Sequence, residues 1–208
     1  MTTGYVAGYD GSGAQGYNVG PAQNVANFMS GAKAQNINVG GPGGAGMSVS
    51  RFAFPEAQKI TVIDVGTASK AAKALSGEIG SGLEGFESTG VLTADQWRDQ
   101  LSRNQDGLLG NLGSLMNAAR LDPGMFNRNA LDNASKQINM ELFGLATAAK
   151  NIAKLDDDLP TLEGAKSVAD AIARLLGCAD RLGQNPGDAQ LTSELVEAEK
   201  LLQFSISR

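Results

Sequence analysis

The stretch ALDNASKQINMELFGLATAAKNIAKL, Ala130 to Leu155, decides the fold. Ala130, Ala134, Ile138, Leu142, Leu145, Ala149 and Ile152 recur in it at intervals of three and four. That spacing lines one face of an amphipathic helix over about six turns. Asp122 before Pro123 is a start signal, so the helix is expected over Gly124 to Leu155.

The neighbouring stretches read the same way. Upstream, Thr93 and Gln96 form a capping box. Trp97, Leu101, Leu108, Leu112, Leu115 and Ala119 then make a stripe, predicting a helix from Thr93 to about Leu121. Gly107, Gly110 and Gly113 weaken it by about 1 kcal/mol each relative to alanine and are candidates for close helix approach. Downstream, the run Asp156, Asp157, Asp158 suits a helix N-terminus, and a helix is expected over Leu159 to Leu182. A Ca²⁺ loop needs more oxygen ligands than this run offers, so it reads as a solvated turn. A last helix opens at Asn185-Pro186 and runs to Ser207, with Leu191, Leu195, Ala198 and Leu202 as its stripe and Val196 and Phe204 beside it. The first segment, Pro55 to Ile79, carries Val65, Ala68, Ala72, Leu75 and Ile79 at helical spacing. Its start holds the β-branched Ile60, Val62, Ile63 and Val65, which suit a strand. A lone strand has no partner here, so the whole segment reads as helix. Pro55, Pro123, Pro160 and Pro186 each stand where a helix can begin. Short connections make the last three helices antiparallel neighbours. The expected fold is all-α: an up-down bundle of five helices over 55–208.

Residues 1–54 read differently. The first fifty hold 12 of the 27 glycines, all three tyrosines (Tyr5, Tyr9, Tyr17) and only two charged residues, Asp10 and Lys33. Such a composition cannot bury enough apolar surface to offset backbone entropy, so a flexible Gly-rich linker is expected over 1–54. Its GYDGSG and GGPGGAG runs lack the strand, Lys-Ser/Thr and helix of a phosphate loop.

Composition removes most chemistry. The 208-residue chain has no histidine and one cysteine, Cys178. Ser-His-Asp triads, Cys-His dyads, disulfide frameworks and His- or Cys-based metal sites are excluded. Net charge is −5, which gives no electrostatic footprint for nucleic acid. No apolar run nears the roughly 18 residues of a membrane span, and the start lacks a signal peptide's pattern. A soluble, intracellular protein that is not an enzyme, uses no cofactor, and is monomeric is expected. Cys178, within RLLGCADRL, reads as a small core residue.

The fourth segment is the informative one. TLEGAKSVADAIARLLGCA, Thr161 to Ala179, presents Leu162, Ala165, Val168, Ala169, Ile172, Leu175, Leu176 and Ala179 on one broad face. This segment resembles the vinculin-binding helices of talin, whose pattern is L-x-x-A-A-x-x-V-A-x-x-V-x-x-L-I-x-x-A. Aligned without gaps, Ala165, Val168, Ala169, Ile172, Leu175, Leu176 and Ala179 match in type. Thr161 stands where the family has leucine and Gly164 where it has alanine, with Leu162 supplying the N-terminal anchor. The resemblance extends over residues 55–208, because talin too has a flexible linker followed by a five-helix rod bundle whose fourth helix binds vinculin. It implies a cytoplasmic adhesion scaffold at the cytoskeleton, a mechanosensitive bundle. Its helix at about 159–183 would enter a groove of the vinculin head. Integrin and actin would be reached through regions outside this chain. The face that would meet vinculin is also the core face, so exposure requires the bundle to open. The alternative is a generic helical-bundle adapter or structural assembly subunit that binds through its intact surface.

Overall fold

The computed structural model describes residues 54–88, 92–119 and 126–207. The linker expected over 1–54 lies outside the described residues but for Phe54, as do the start signal at Asp122-Pro123 and the helix end at Leu121. The described residues form a short helix α1 (Pro55–Gln58) and five long ones: α2 (Val65–Gly80), α3 (Ala94–Ala119), α4 (Arg128–Asp156), α5 (Leu159–Gln184) and α6 (Ala189–Ile206). The all-α five-helix bundle expected from periodicity is the observed architecture. α4 and α5 are its centre. α2 packs against both, α3 against α4, α6 against α5, and α1 against α2.

The first segment is broken, not continuous. Pro55 starts α1, which ends after one turn. The β-branched residues from Ile60 to Ile63 are poor helix formers, and Asp64 restarts the helix at Val65. Its carboxylate accepts from Thr67 N at 2.7 Å, while Asp64 N donates to Thr67 Oγ1 at 3.1 Å. Donation by the Thr67 N–H and hydroxyl holds the Asp64 carboxyl below its ordinary value.

In α3 the expected capping box is present, with Thr93 N donating to Gln96 Oε1 at 2.9 Å and Gln96 N donating to Thr93 Oγ1 at 3.3 Å. Trp97, Leu108, Leu112, Leu115 and Ala119 are buried, and Leu101 is half-buried. Of the three glycines, Gly107 alone marks a close approach. A Cβ there would fall 2.6 Å from the Glu141 carboxyl carbon, whereas Gly110 and Gly113 face open space. Gly144 on α4 is the reciprocal contact, its missing Cβ lying 2.7 Å from the Asn104 amide.

α4 begins at Arg128, because Asn127 accepts from Ala130 N at 3.1 Å and so caps it there. Ala130, expected in the core stripe, is exposed on this first turn, and Leu131 is buried instead. Farther along, the buried set widens to Phe143, Ala146, Ala148, Lys150 and Asn151. A central helix with neighbours α2, α3 and α5 buries several faces, not one. Two buried polar donors on it reach backbone carbonyls: Asn139 Nδ2 donates to Ala68 O at 2.8 Å, and Ser135 Oγ to Leu131 O at 2.8 Å, while Asn139 Oδ1 accepts no hydrogen bond.

Two residues join α4 to α5. Asp157 takes the left-handed conformation at φ 55°, and Asp158 caps α5. The acidic run is therefore a turn and a cap, with Arg98 of α3 paired to Asp156. α6 starts at Ala189, later than expected. Pro186 and Gly187 (φ 87°) make a turn, after which Asp188 accepts from Gln190 N at 2.9 Å and Leu191 N at 3.0 Å. Leu195, Ala198 and Leu202 are buried, Leu191 and Val196 half-buried, and Phe204 exposed.

Candidate partner-binding helix

α5 is specified locally from its first turn. Asp158 Oδ1 accepts from Thr161 N at 3.2 Å, and Thr161 Oγ1 donates to Asp158 Oδ2 at 2.8 Å. Pro160 lies in the first turn, where its missing N–H costs nothing. The helix then runs to Gln184 without a break.

All eight residues singled out on this helix are buried. Leu162, Ala165 and Val168 are at most 5% exposed, and Ala169, Ile172, Leu175, Leu176 and Ala179 are fully enclosed. The face is wider than the motif, since Ala171, Cys178 and Leu182 are buried with it. Cys178 is a core thiol, as expected. It also accepts from Arg181 Nη2 at 3.4 Å.

The edges of the helix are polar and tied to neighbours. Toward α2, Ser69 Oγ donates to Ala173 O at 3.0 Å, and Gly177 leaves room for Ser69 Oγ, 3.4 Å from where its Cβ would be. Asp170 accepts from Ser76 Oγ and, at 2.6 Å, from Lys166 Nζ. Burial pushes the Asp170 carboxyl up, but those two donors and the lysine charge outweigh it and hold it below its ordinary value. Near the C-terminal end, Asp180 pairs with Arg128 of α4 at 3.0 Å, and Arg181 pairs with Glu194 of α6 at 2.7 Å. Except for the i,i+4 pair Lys166–Asp170, these ties join different helices, so periodicity carries no sign of them. Arg174 points to solvent between them.

Among the described residues no group of three or more His, Cys, Asp or Glu is placed to hold a metal ion. Among the same residues no helix is long and apolar enough to cross a membrane.

The likeness to known proteins is distant and partial. No family model matches the chain, and no solved structure matches it. A stretch of 121 residues is 29% identical to Talin-B of Dictyostelium discoideum, covering 56% of this chain and 5% of that protein. The chain is thus a helical bundle distantly similar to a small portion of a talin.

Proposed function

We propose that this chain is a talin-like, non-enzymatic adhesion scaffold and that α5 is a cryptic ligand for the vinculin head. The observation that carries the reading is the position of the eight motif residues: they share one face of α5, and all are buried against the other helices. The partial identity to Talin-B supports the same reading. A helix whose recognition face is the core face cannot serve both at once. Binding therefore draws on the fraction of molecules in which the bundle is open, and apparent affinity falls by that fraction. A domain of this size is stable by about 5–15 kcal/mol. The many alanines of the core and the helix glycines place this one in the lower half. Tension along the chain would supply the opening energy, and the setting would be the cytoskeletal side of adhesion sites, with integrin and actin engaged by other regions of a longer protein.

The test compares a peptide of residues 159–184 with the folded chain for binding to the purified vinculin head. The peptide is expected to bind at micromolar concentration or better, and the folded chain far more weakly until mild urea is added. A peptide that does not bind ends the vinculin reading. Equal binding by the intact bundle would favour the adapter reading instead.

A further inference from the structure

Phe54 and α1 close one side of the bundle over α4 and α2. The Phe54 ring is 1% exposed. It meets the Phe143 ring edge-on at 5.9 Å and lies 4.8 Å from Lys150 Nζ. Phe86, beyond α2, brings a second ring within 5.6 Å of the same ammonium. Lys150 is 4% exposed, so its charge is held against two aromatic faces whose quadrupoles offset part of the lost hydration. Burial lowers the Lys150 ammonium from its ordinary value, against the pull of Glu78.

Glu78 of α2 grips the other side of the segment. Its Oε1 accepts from Glu56 N at 2.8 Å and its Oε2 from Ala57 N at 2.9 Å. A four-residue helix has no stability of its own, so these outside contacts are what order α1. From residue 59 to residue 64 the chain crosses to α2 without helix, and Val62 is its one buried side chain, with Ile60 half-buried against the core.

We propose that residues 54–64 are a clasp that opens as a unit before the five long helices separate, governed by the Phe54–Lys150 and Glu78 contacts. Apart from the Asp64–Thr67 box that caps α2, it is held by the buried Phe54, Ala57 and Val62, the half-buried Ile60, the two Glu78 bonds and one from Ile63 N to Thr67 Oγ1. That is far less than holds any long helix, which is the condition for an independent low-energy opening. The clasp is the first described element after residues 1–53. A pull on that preceding chain would reach it before any long helix. This last step rests on the tension reading above, whereas the opening itself does not.

The Lys59–Ile60 bond reports the opening, because trypsin needs an unfolded stretch about the length of the clasp. The full chain is digested under native conditions, and cutting at this bond is followed by mass spectrometry beside amide exchange in α5. Phe54→Ala and Glu78→Ala are each expected to speed the cut by about tenfold or more, since cleavage follows the open population. Glu78→Ala leaves no core cavity and serves if Phe54→Ala fails to fold. Arg174→Gly, on the exposed side of α5, is expected to speed α5 exchange roughly fivefold through lost helix propensity while leaving the Lys59 cut unchanged. If Arg174→Gly speeds both alike, the cut requires global unfolding and the clasp is wrong. It is equally wrong if neither Phe54→Ala nor Glu78→Ala speeds the cut. No vinculin enters these measurements, so their failure leaves the vinculin reading standing.

Discussion

Ala169 lies in the middle of the buried face of α5 with no exposed surface. Ala169→Glu puts a carboxylate there, and a loss of about 3 kcal/mol or more is expected from an unpaired buried charge, read from the urea midpoint. In the 159–184 peptide the same change should abolish binding to the vinculin head, where only recognition is at stake. Arg174→Ala in that peptide should cost less than about 1 kcal/mol, as rim residues do. Glu141 tests a different balance. Its side chain lies against Gly107, and burial raises its carboxyl above the ordinary value. A raised folded-state value means the folded protein holds this proton to higher pH than the unfolded chain. Glu141 therefore favours the fold in acid, and that contribution is lost as pH rises through the raised value. Glu141→Gln should raise the melting temperature at pH 7, and the difference from wild type should close as the pH falls below about 4, under the ordinary glutamate value, where the wild-type carboxyl becomes protonated in both states.

At the scale of the helix, α3 is the element most open to improvement. Gly110 and Gly113 have helical backbones and open space where a methyl would go. Gly110→Ala and Gly113→Ala should each stabilise the protein by about 0.5–1 kcal/mol. Gly144→Ala should do the reverse, by about 1–3 kcal/mol. Its methyl would fall 2.7 Å from the Asn104 amide, and Asn104, 2% exposed, has nowhere to move. Urea unfolding of the three variants checks both signs. The existence of each long helix was legible in its 3–4 periodicity, but the starts were legible only where a cap stood at the front of the stripe. Thr93 did, and α3 begins where it was expected. Asp188 took the cap of α6 from the Asn185-Pro186 signal, because a side chain that satisfies free amides outweighs a proline that merely tolerates the first turn, and Asn127 caps α4 at a position the stripe does not mark. The break at Ile60 to Asp64 was missed for the same reason. Asp64 and Thr67 form a box that a helix read through them conceals.

At the scale of the whole molecule, the main core among the described residues draws on side chains between Phe54 and Ile206. The Gly-rich composition of residues 1–50 offers little apolar surface to add to it, so deleting them should shift the melting temperature by less than about 2 °C, as calorimetry would show. The eight α5 residues were legible as one face because periodicity orients a helix. Which helices cover that face was not, since the Ser69, Ser76 and Arg128 contacts to α5 span most of the bundle's sequence.

The two-residue turn at Asp157 and Asp158 bears on any event that frees α5. A helix tethered that closely to its former neighbour stays at an effective concentration of millimolar order. Re-docking is then a first-order reaction that no dilution slows. A soluble competitor must outbid the protein's own α4 on every encounter, so capture would be set by how long the turn's far end stays apart rather than by the affinity of the isolated segment.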